Sequence, residues 1–267
     1  MEVIIRPAAE RAERLTARLL GRALRAKPNL VLGLATGRTM ERVYTELVAL
    51  HQREHLDFSQ CTTFNLDEYI GLPKAHPCSY HEYMRRHLFS RVNLSPARTW
   101  LPDGMAADLE AECLHYEDLI RQAGGIDVQL LGLGSDGHIG FNEPLSALRS
   151  RTRPKALTPA TLAQNAVLCG GDPERMPRRA LTMGVGTILE SRQCIVLVTG
   201  AAKADILARA VEGPLTAMVT ASALQLHPHC QFIVDEAAAA RLQGQDYYRW
   251  IFVNEPEWAP FQDDPAV

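Results

Sequence analysis

Residues 130–144 (LLGLGSDGHIGFNEP) carry the densest set of groups able to move a proton. Asp136, His138 and Glu143 place two carboxylates around one imidazole, and the glycines between them let the backbone turn sharply beside a ligand. A carboxylate orients a histidine and raises its basicity, so such a histidine exchanges protons near neutral pH. The simpler alternative is a polar turn with a surface histidine. The glycine density and the two carboxylates favour a catalytic segment.

The same three side chains are acceptable metal ligands. However, this segment holds a single histidine, and no second histidine stands at HxxxH spacing from it. We therefore favour proton transfer at this segment and predict no metal site.

A second candidate site is the segment ATGRT at residues 35–39, which lies between an apolar run and a helical pattern. Backbone N–H groups at a helix start can hold a phosphate, and threonine hydroxyls add donors. The alternative is a tight turn with a threonine cap. No Walker loop, GxxxxGK(S/T), occurs in the chain.

Two isolated features could complete a ligand site. Asp67 and Glu68 directly follow an apolar run, where a carboxylate can face a ligand and act as a general base. Because neighbouring side chains point in different directions, only one should enter a site, and the alternative for either is a helix or turn cap. Lys203 follows Gly200 in the first turn of a predicted helix, where it could neutralise a phosphate. Considered alone, Lys203 is better explained as an ordinary exposed helix lysine than as a phosphate ligand.

Short apolar runs alternate with helical patterns along the chain. Strands are predicted at residues 2–5, 29–35, 61–66, 126–133, 194–199 and 231–234, and helices at residues 7–25, 39–52, 80–89, 106–122 and 202–211. This alternation predicts an α/β fold with an open, mostly parallel sheet and helices on both faces. Ligands bind such sheets beyond the carboxyl ends of the strands, where the polar segments above fall.

The length of 267 residues suits one domain, which we place at residues 1–250. Residues 149–179 are rich in Arg, Pro and Thr and are predicted to form a loop or mobile lid. Residues 251–267 form a predicted C-terminal tail. Its acidic, proline-bearing part from Asn254 onward is expected to be irregular.

Composition excludes several classes of protein. The net charge is −3 and the 28 Lys and Arg are spread along the chain, which argues against a nucleic-acid partner. No apolar stretch is long enough to span a bilayer, and the N-terminus lacks the apolar core of a signal peptide. The six cysteines form no CxxC pair and fit neither a zinc site nor a disulfide framework. We expect a cytoplasmic protein.

Taken together, these segments resemble the glucosamine-6-phosphate deaminase family. The matching pieces follow the family's order over about residues 2–250 and are LGLATGRT (32–39), TFNLDEYIGLP (63–73), SYHEYM (79–84), LLGLGSDGHIGFNEP (130–144), SRTR (150–153), ALTMGVGTIL (180–189) and LQLHP (224–228).

The resemblance implies a Rossmann-like α/β fold and a definite reaction on a sugar phosphate. By that analogy His138 opens the pyranose ring, assisted by Asp136 and Glu143. Asp67 then moves a proton from C2 to C1 through an enolamine, and the ketose imine hydrolyses to fructose 6-phosphate and ammonium. Neither a metal nor an organic cofactor is implied.

The resemblance also assigns phosphate binding, to Thr36, Gly37, Thr39 and Lys203. This sequence departs from the family's phosphate-binding pattern at two positions. Arg38 replaces the second glycine of the family's usual TGGT loop, and Val167 stands where the family places an arginine in its lid. Our hypothesis is that Arg38 takes over the missing charge, because a guanidinium suits phosphate recognition.

Some members of the family are hexamers activated by N-acetylglucosamine 6-phosphate. Ser146, Arg153 and Lys155 match positions of that activator site. A C-terminal tyrosine of the site has no clear counterpart here, because Tyr248 and Arg249 align ambiguously. The alternative for Arg153 and Lys155 is an exposed basic loop.

Several other functions stay open. Galactosamine 6-phosphate could replace the glucosamine substrate, and an isomerase that keeps the amine shares the first half of the chemistry. A 6-phosphogluconolactonase shares the fold but does not need a base at Asp67. A binding-only relative is kept open by Arg38 and Val167. A sugar-phosphate sensor of a transcription regulator would need a DNA-binding module, for which the first 28 residues are too short.

Overall fold

The computed structural model describes residues 1–262. Ten strands and ten helices are present in this range. The strands are β1 (Glu2–Arg6), β2 (Val31–Leu34), β3 (Thr62–Asn65), β4 (Asp67–Tyr69), β5 (Thr99–Trp100), β6 (Val128–Gly132), β7 (Arg153–Ala156), β8 (Arg179–Thr182), β9 (Gln193–Val198) and β10 (Cys230–Asp235). The helices are α1 (Ala9–Ala26), α2 (Arg38–Glu54), α3 (Tyr80–His87), α4 (Leu109–Gln122), α5 (Pro159–Ala166), α6 (Val185–Leu189), α7 (Ala204–Val211), α8 (Glu236–Ala239), α9 (Gln245–Asn254) and α10 (Ala259–Gln262).

Seven strands form a central open sheet in the order β1-β10-β9-β6-β2-β3-β5, and every pairing in it is parallel. All residues of β2 and β10 are buried, so the sheet is covered on both faces. Parallel strands buried on both sides need apolar residues at nearly every position, which explains their continuous apolar runs. The predicted α/β fold with a mostly parallel sheet is confirmed.

The strand order reverses beside β2. From β2 the chain builds outward through β3 to β5, and it then returns to add β6, β9 and β10 on the other side of β2. The connection from β2 therefore leads toward β3 on one side, and the connection from β6 leads toward β9 on the opposite side. A crevice forms at such a point beyond the carboxyl ends of the strands, which is where open α/β sheets bind ligands.

A second, small sheet was not predicted. The strands β4, β8 and β7 form it in that order with antiparallel pairing, and Asp67 of β4 faces Thr182 of β8. Each strand has only three or four residues, too few for a periodic pattern in the sequence. This sheet begins directly after β3 and carries Asp67 at the carboxyl edge of the central sheet.

The predicted lid at residues 149–179 contains regular structure. It holds β7, helix α5 and 3₁₀ turns at Val167–Cys169 and Pro173–Arg175. Helix α5 begins cleanly because Thr158 caps it through a hydrogen bond from the Thr161 N–H, with Pro159 in the first turn. Its mobility stays a prediction.

The expectation of an irregular tail from Asn254 is wrong for its described part. A 3₁₀ turn at Pro256–Trp258 leads into α10, and Trp258 is 0% exposed. Arg22 of α1 lies over the ring of Phe261, 4.7 Å from its centroid. Burial of these two aromatic side chains outweighs the acidic character of the segment, because each removes a large apolar area from water. Residues 263–267 lie outside the described range.

Among the described residues, none of the helices has both the length and the apolar content needed to cross a bilayer.

Candidate active site

A cavity of about 410 Å³ opens at the carboxyl ends of β2, β3, β6 and β9. Of the residues predicted from the sequence, the cavity wall contains Thr36, Gly37, Arg38, Thr39, Asp67, His138 and Lys203. They come from four separate segments of the chain. The parallel sheet brings them together because all four segments follow strands that end at the same edge.

Two carboxylates hold the imidazole of His138. Its Nδ1 lies 2.6 Å from Asp136 Oδ1 and 3.6 Å from Glu143 Oε2, and His138 is only 8% exposed. When Nδ1 donates its proton to Asp136, Nε2 is the nitrogen left to accept one. Gly134 makes room for this ring, since a Cβ at Gly134 would lie 2.4 Å from His138 Cε1.

The carboxylates behind His138 are placed for different tasks. Burial works to raise the pKa of Asp136, but its hydrogen bonds with His138 outweigh burial and hold that pKa below the usual range. Asp136 is therefore charged near neutral pH and stabilises a protonated imidazole. Glu143 is 2% exposed, and its Oε1 accepts the backbone N–H of Thr158 at 3.0 Å. Glu143 thus joins the catalytic segment to the cap of α5.

Asp67 lies in the cavity wall but is only 5% exposed. Burial, helped by the negative charge of Glu68, raises the pKa of Asp67 well above its usual range. No hydrogen bond reaches its carboxylate from any residue in 1–262. A carboxyl group with a raised pKa holds a proton more readily than an exposed one, which suits a group that carries a proton between two atoms.

Glu68 has the opposite surroundings. Its carboxylate accepts the backbone N–H groups of Tyr69, Tyr80 and His81 at 2.8–3.0 Å and the Ser79 hydroxyl at 2.7 Å. It is 1% exposed and does not reach the cavity wall. Glu68 therefore ties β4 to the start of α3, while its neighbour Asp67 faces the cavity.

The other end of the cavity is positively charged. Helix α2 begins at Arg38, directly after Gly37, whose φ of +107° turns the loop in a way that favours glycine. Lys203 closes a 3₁₀ turn before α7. Burial lowers the pKa of Lys203, although Asp136 opposes the effect. Within residues 1–262, neither Arg38 nor Lys203 forms an ion pair, so two cations and a helix N-terminus face the cavity together.

The predicted activator residues lie apart from the cavity wall. Arg153 Nη1 donates to Asn142 Oδ1 at 2.9 Å, whereas Arg153 Nη2 and the Ser146 hydroxyl are buried without a partner among the described residues. Arg153 and Lys155 alternate with Pro154 along β7 and so share one face of that strand.

One cluster in the described part of the chain has metal-binding geometry. Ligand atoms of Asp136, His138 and Glu143 lie within 4.8 Å of one another. Nδ1 of His138 and an oxygen of Asp136 are already joined by a hydrogen bond. The prediction that the site works without a metal stays a prediction.

Comparison with known proteins places the chain in a family. A family model described as glucosamine-6-phosphate isomerases/6-phosphogluconolactonase matches residues 6–231. The chain belongs to this family.

Relatives within the family are similar over nearly their whole length. The glucosamine-6-phosphate deaminase of Arthrobacter sp. (strain FB24) is 48% identical, with 97% of this chain and 99% of the relative covered. That of Hahella chejuensis (strain KCTC 2396) is 49% identical, with 94% of this chain and 95% of the relative covered.

Solved structures in the family show the same fold. A glucosamine-6-phosphate deaminase described as monomeric superposes with a TM-score of 0.88 at 42% identity, covering 90% of this chain and 100% of that one. A 6-phosphogluconolactonase from Trypanosoma cruzi gives a TM-score of 0.73 at 19% identity, covering 91% and 97%, which shows the fold alone.

Sequence reasoning did not single out several residues of the cavity wall, among them Tyr80, Phe141, Gln164 and Asn165. Tyr80 and Phe141 stack at 6.0 Å between ring centroids, and Tyr69 packs against both. Tyr80 and Phe141 do fall in segments that match the family, SYHEYM and GFNEP, which was the available signal. Gln164 and Asn165 belong to the lid helix and lie in the stretch AQNAVL (163–168) that corresponds to the family's lid segment, where only Val167 was singled out.

Proposed function

We propose that this chain is a glucosamine-6-phosphate deaminase, which converts D-glucosamine 6-phosphate and water to D-fructose 6-phosphate and ammonium. The observation that carries the proposal is that one cavity has two chemically different ends. Asp67 and His138 form an end suited to proton transfer, and Arg38 and Lys203 form an end suited to a phosphate. Relatives 45–49% identical to the chain bear the same name.

Ring opening comes first and falls to His138. Nε2 takes the proton of the C1 hydroxyl and returns a proton to the ring oxygen, so the C1–O5 bond breaks and an open-chain aldose forms. The charged Asp136 stabilises the imidazolium between these two steps. Glu143 helps to hold the ring in place.

Isomerisation and deamination follow at Asp67. Its carboxylate removes the proton from C2, giving an enolamine, and delivers a proton to C1. C2 is then an imine carbon, and water adds to it to release ammonium and leave the ketone of fructose 6-phosphate. Burial favours this role, because a carboxylate with a raised pKa is a stronger base than an exposed one.

Arg38 is proposed to bind the substrate phosphate in place of the missing lid arginine. Val167 is 60% exposed and offers no charge. Arg38 lies in the cavity wall at the first residue of α2, where the helix N-terminus also favours an anion. A guanidinium there adds two N–H donors suited to phosphate oxygens.

A lactonase is the main alternative activity. Its reaction opens a cyclic ester and needs no proton transfer between carbon atoms, so it gives no role to a buried Asp67 with a raised pKa. Galactosamine 6-phosphate differs from the glucosamine sugar only at C4, and it stays open as a substrate.

A substrate panel tests the proposal. Ammonia release is measured with glucosamine 6-phosphate, galactosamine 6-phosphate and unphosphorylated glucosamine, and acid release with 6-phosphogluconolactone. We expect rapid ammonia release from glucosamine 6-phosphate and far slower release from glucosamine. Hydrolysis of the lactone without ammonia release from either amino sugar phosphate would show the proposal to be wrong.

Regulation, assembly and location belong to the same proposal. The Ser146 hydroxyl and Arg153 Nη2, which are buried without a partner within residues 1–262, support activation by N-acetylglucosamine 6-phosphate. A homo-oligomer has less support, since the solved relative at 42% identity is described as monomeric. All six cysteines are free thiols, which suits the cytoplasm. Reaction rates measured with and without the activator test the regulation, and the mass of the protein in solution tests the assembly.

A further inference from the structure

Two tyrosine hydroxyls hold the backbone of the phosphate loop, residues 35–39. The Tyr83 hydroxyl of α3 donates to the Gly37 carbonyl at 2.8 Å. The Tyr44 hydroxyl of α2 donates to the Ala35 carbonyl. Because a carbonyl oxygen can only accept, the tyrosine is the donor in both bonds. Each bond therefore fixes the direction of one carbonyl group of the loop.

Both tyrosines reach the loop from the side away from the cavity. Tyr44 is 0% exposed and Tyr83 is 5% exposed, and their rings pack edge to face with 6.4 Å between centroids. Neither belongs to the cavity wall that the described residues form. Burial raises the pKa of both hydroxyls, so each keeps the proton that it donates near neutral pH. The two carbonyl groups consequently point into the protein and out of the cavity.

The direction of each carbonyl sets the direction of the next N–H group. A trans peptide unit is planar, and its C=O and N–H bonds point in opposite directions. The Ala35 carbonyl shares a peptide unit with the Thr36 N–H, and the Gly37 carbonyl shares one with the Arg38 N–H. Holding both carbonyls behind the loop therefore turns the two N–H groups toward the cavity.

The N–H groups of the loop are available to an anion. Within residues 1–262, the backbone N–H groups of residues 36–39 donate to no protein acceptor. All four residues lie in the cavity wall. Unpaired N–H groups at the start of a helix form a binding site for phosphate oxygens when they point the same way. Their common direction is what the two tyrosine bonds supply.

We propose that Tyr44 and Tyr83 are positioning residues that hold the loop carbonyls out of the cavity and so present the Thr36 and Arg38 N–H groups to the substrate phosphate. This inference rests on the proposed function, since the phosphate is that of the sugar substrate. Both tyrosines act through the backbone, and neither touches the phosphate.

The test removes each hydroxyl and measures the binding of inorganic phosphate by calorimetry, together with KM and kcat for glucosamine 6-phosphate. Tyr83→Phe leaves the Gly37 carbonyl less firmly held and should weaken phosphate binding about three- to tenfold, the loss expected for one hydrogen bond. Tyr44→Phe should have an effect of similar size at the Ala35 carbonyl. In both variants KM should rise by the same factor, with kcat within about twofold of wild type.

Amide resonances measured by NMR assign the effect to each peptide unit. Inorganic phosphate should shift the amide proton resonances of Thr36 and Arg38 downfield in the wild-type protein, because both N–H groups then donate to an anion. Tyr83→Phe should reduce the shift mainly at Arg38, and Tyr44→Phe mainly at Thr36. A general loss of stability would not separate the two amides in this way.

The matched control is Tyr116→Phe on α4. The Tyr116 hydroxyl is also buried, and it donates to the Asn65 carbonyl at 2.7 Å, outside the phosphate loop. This variant loses the same kind of bond and should lower Tm about as much as Tyr83→Phe. It should keep the wild-type affinity for inorganic phosphate.

The outcomes separate this inference from the proposed activity. Wild-type phosphate affinity in Tyr83→Phe overturns the inference, as does an equal loss of affinity in Tyr116→Phe or a wild-type protein that binds no phosphate. Tyr83→Phe decides alone if Tyr44→Phe does not fold. If phosphate binding weakens in Tyr83→Phe while the wild-type protein releases no ammonia, the inference stands and the deaminase proposal fails.

Discussion

The two ends of the cavity differ in burial and in charge. The reaction end consists of Asp67, Asp136, His138 and Glu143; three of these four residues are acidic, and all but the partly exposed Asp136 are buried. The phosphate end, which consists of residues 36–39 and Lys203, carries positive charge, and its Arg38 is exposed. Burial and neighbouring charges adjust proton affinity at the reaction end, while the cations of the phosphate end, which form no ion pair within residues 1–262, can capture an anion. Changes at the reaction end should therefore lower kcat, and changes at the phosphate end should raise KM.

The neighbours Asp67 and Glu68, both in the three-residue strand β4, also have contrasting surroundings. Glu68 accepts four hydrogen bonds and holds β4 against α3, whereas the Asp67 carboxylate has none within the described chain. A buried charge without partners costs stability, and such costs persist mainly where function needs them. Glu68 therefore supports the fold around the site, and Asp67 is the group that reacts.

Apart from substitution of Asp67, substitution of His138 is expected to have the largest effect on kcat. In His138→Gln the side chain can still form hydrogen bonds, but it cannot shuttle a proton. We expect kcat to fall by about 10²–10⁴-fold, the usual contribution of a general acid–base group, with KM within a few-fold of wild type. Steady-state ammonia release measures both constants. A large rise in KM with kcat retained would place His138 in binding instead.

At the phosphate end, Arg38→Gly should restore the family's TGGT loop while removing the guanidinium. We expect KM for glucosamine 6-phosphate to rise about tenfold or more, since one hydrogen-bonded charge contributes roughly 1.5–3 kcal/mol. kcat at saturation should change little. Steady-state kinetics on the phosphorylated sugar is the measurement.

Two controls sharpen this prediction. Arg38→Lys keeps the charge and should recover much of the affinity, and kcat/KM for unphosphorylated glucosamine should be the same in Arg38→Gly as in wild type. If KM for the phosphorylated sugar barely moves, Arg38 does not replace the lid arginine.

A smaller effect is expected on stability. The pKa of Asp67 is raised in the folded protein, so between its unfolded and folded pKa values the native state binds more protons than the unfolded state. Wild-type stability from this group therefore falls as pH rises through that window. Asp67→Asn avoids the cost of burying a charged carboxylate. Its Tm should equal that of wild type near pH 3 and should exceed it increasingly as pH rises, by about 2–4 °C for each kcal/mol of stability. Thermal unfolding across pH measures it, and a pH-independent difference would contradict the burial argument.

The smallest expected effect is that of metal removal. Although Asp136, His138 and Glu143 cluster within 4.8 Å, the proposed steps use them only to hold and move protons. Dialysis against EDTA should leave kcat unchanged. Loss of activity that returns when Zn²⁺ or Mn²⁺ is added would assign the cluster to a metal instead.

Local patterns predicted most of the central sheet and the segments that line the cavity. β6 and residues 130–144, for example, read directly as a strand followed by a glycine-rich turn with Asp136 and His138. The β4–β8–β7 sheet was missed because its strands are short and pair across a long stretch of chain. The bond from Asn165 to Tyr69 was missed for the same reason, since lid and body meet only in the folded protein.

Burial also depends on partners that sequence does not reveal. The C-terminal segment reads as acidic and irregular, yet Trp258 is fully buried beside Phe252. The elevated pKa of Asp67 similarly comes from its enclosure in the fold, which its position after an apolar run did not indicate. Sequence located the reacting groups, and tertiary packing decides their proton affinity.

The most direct test of the account compares wild type with Asp67→Asn in two assays, ammonia release from glucosamine 6-phosphate and calorimetric binding of inorganic phosphate. We predict rapid release in the wild type, release slower by about 10³-fold or more in the variant, and equal phosphate affinity in both. Equal release rates, or a loss of phosphate binding that accounts for the slower release, would contradict the separation of a reaction end from a phosphate end.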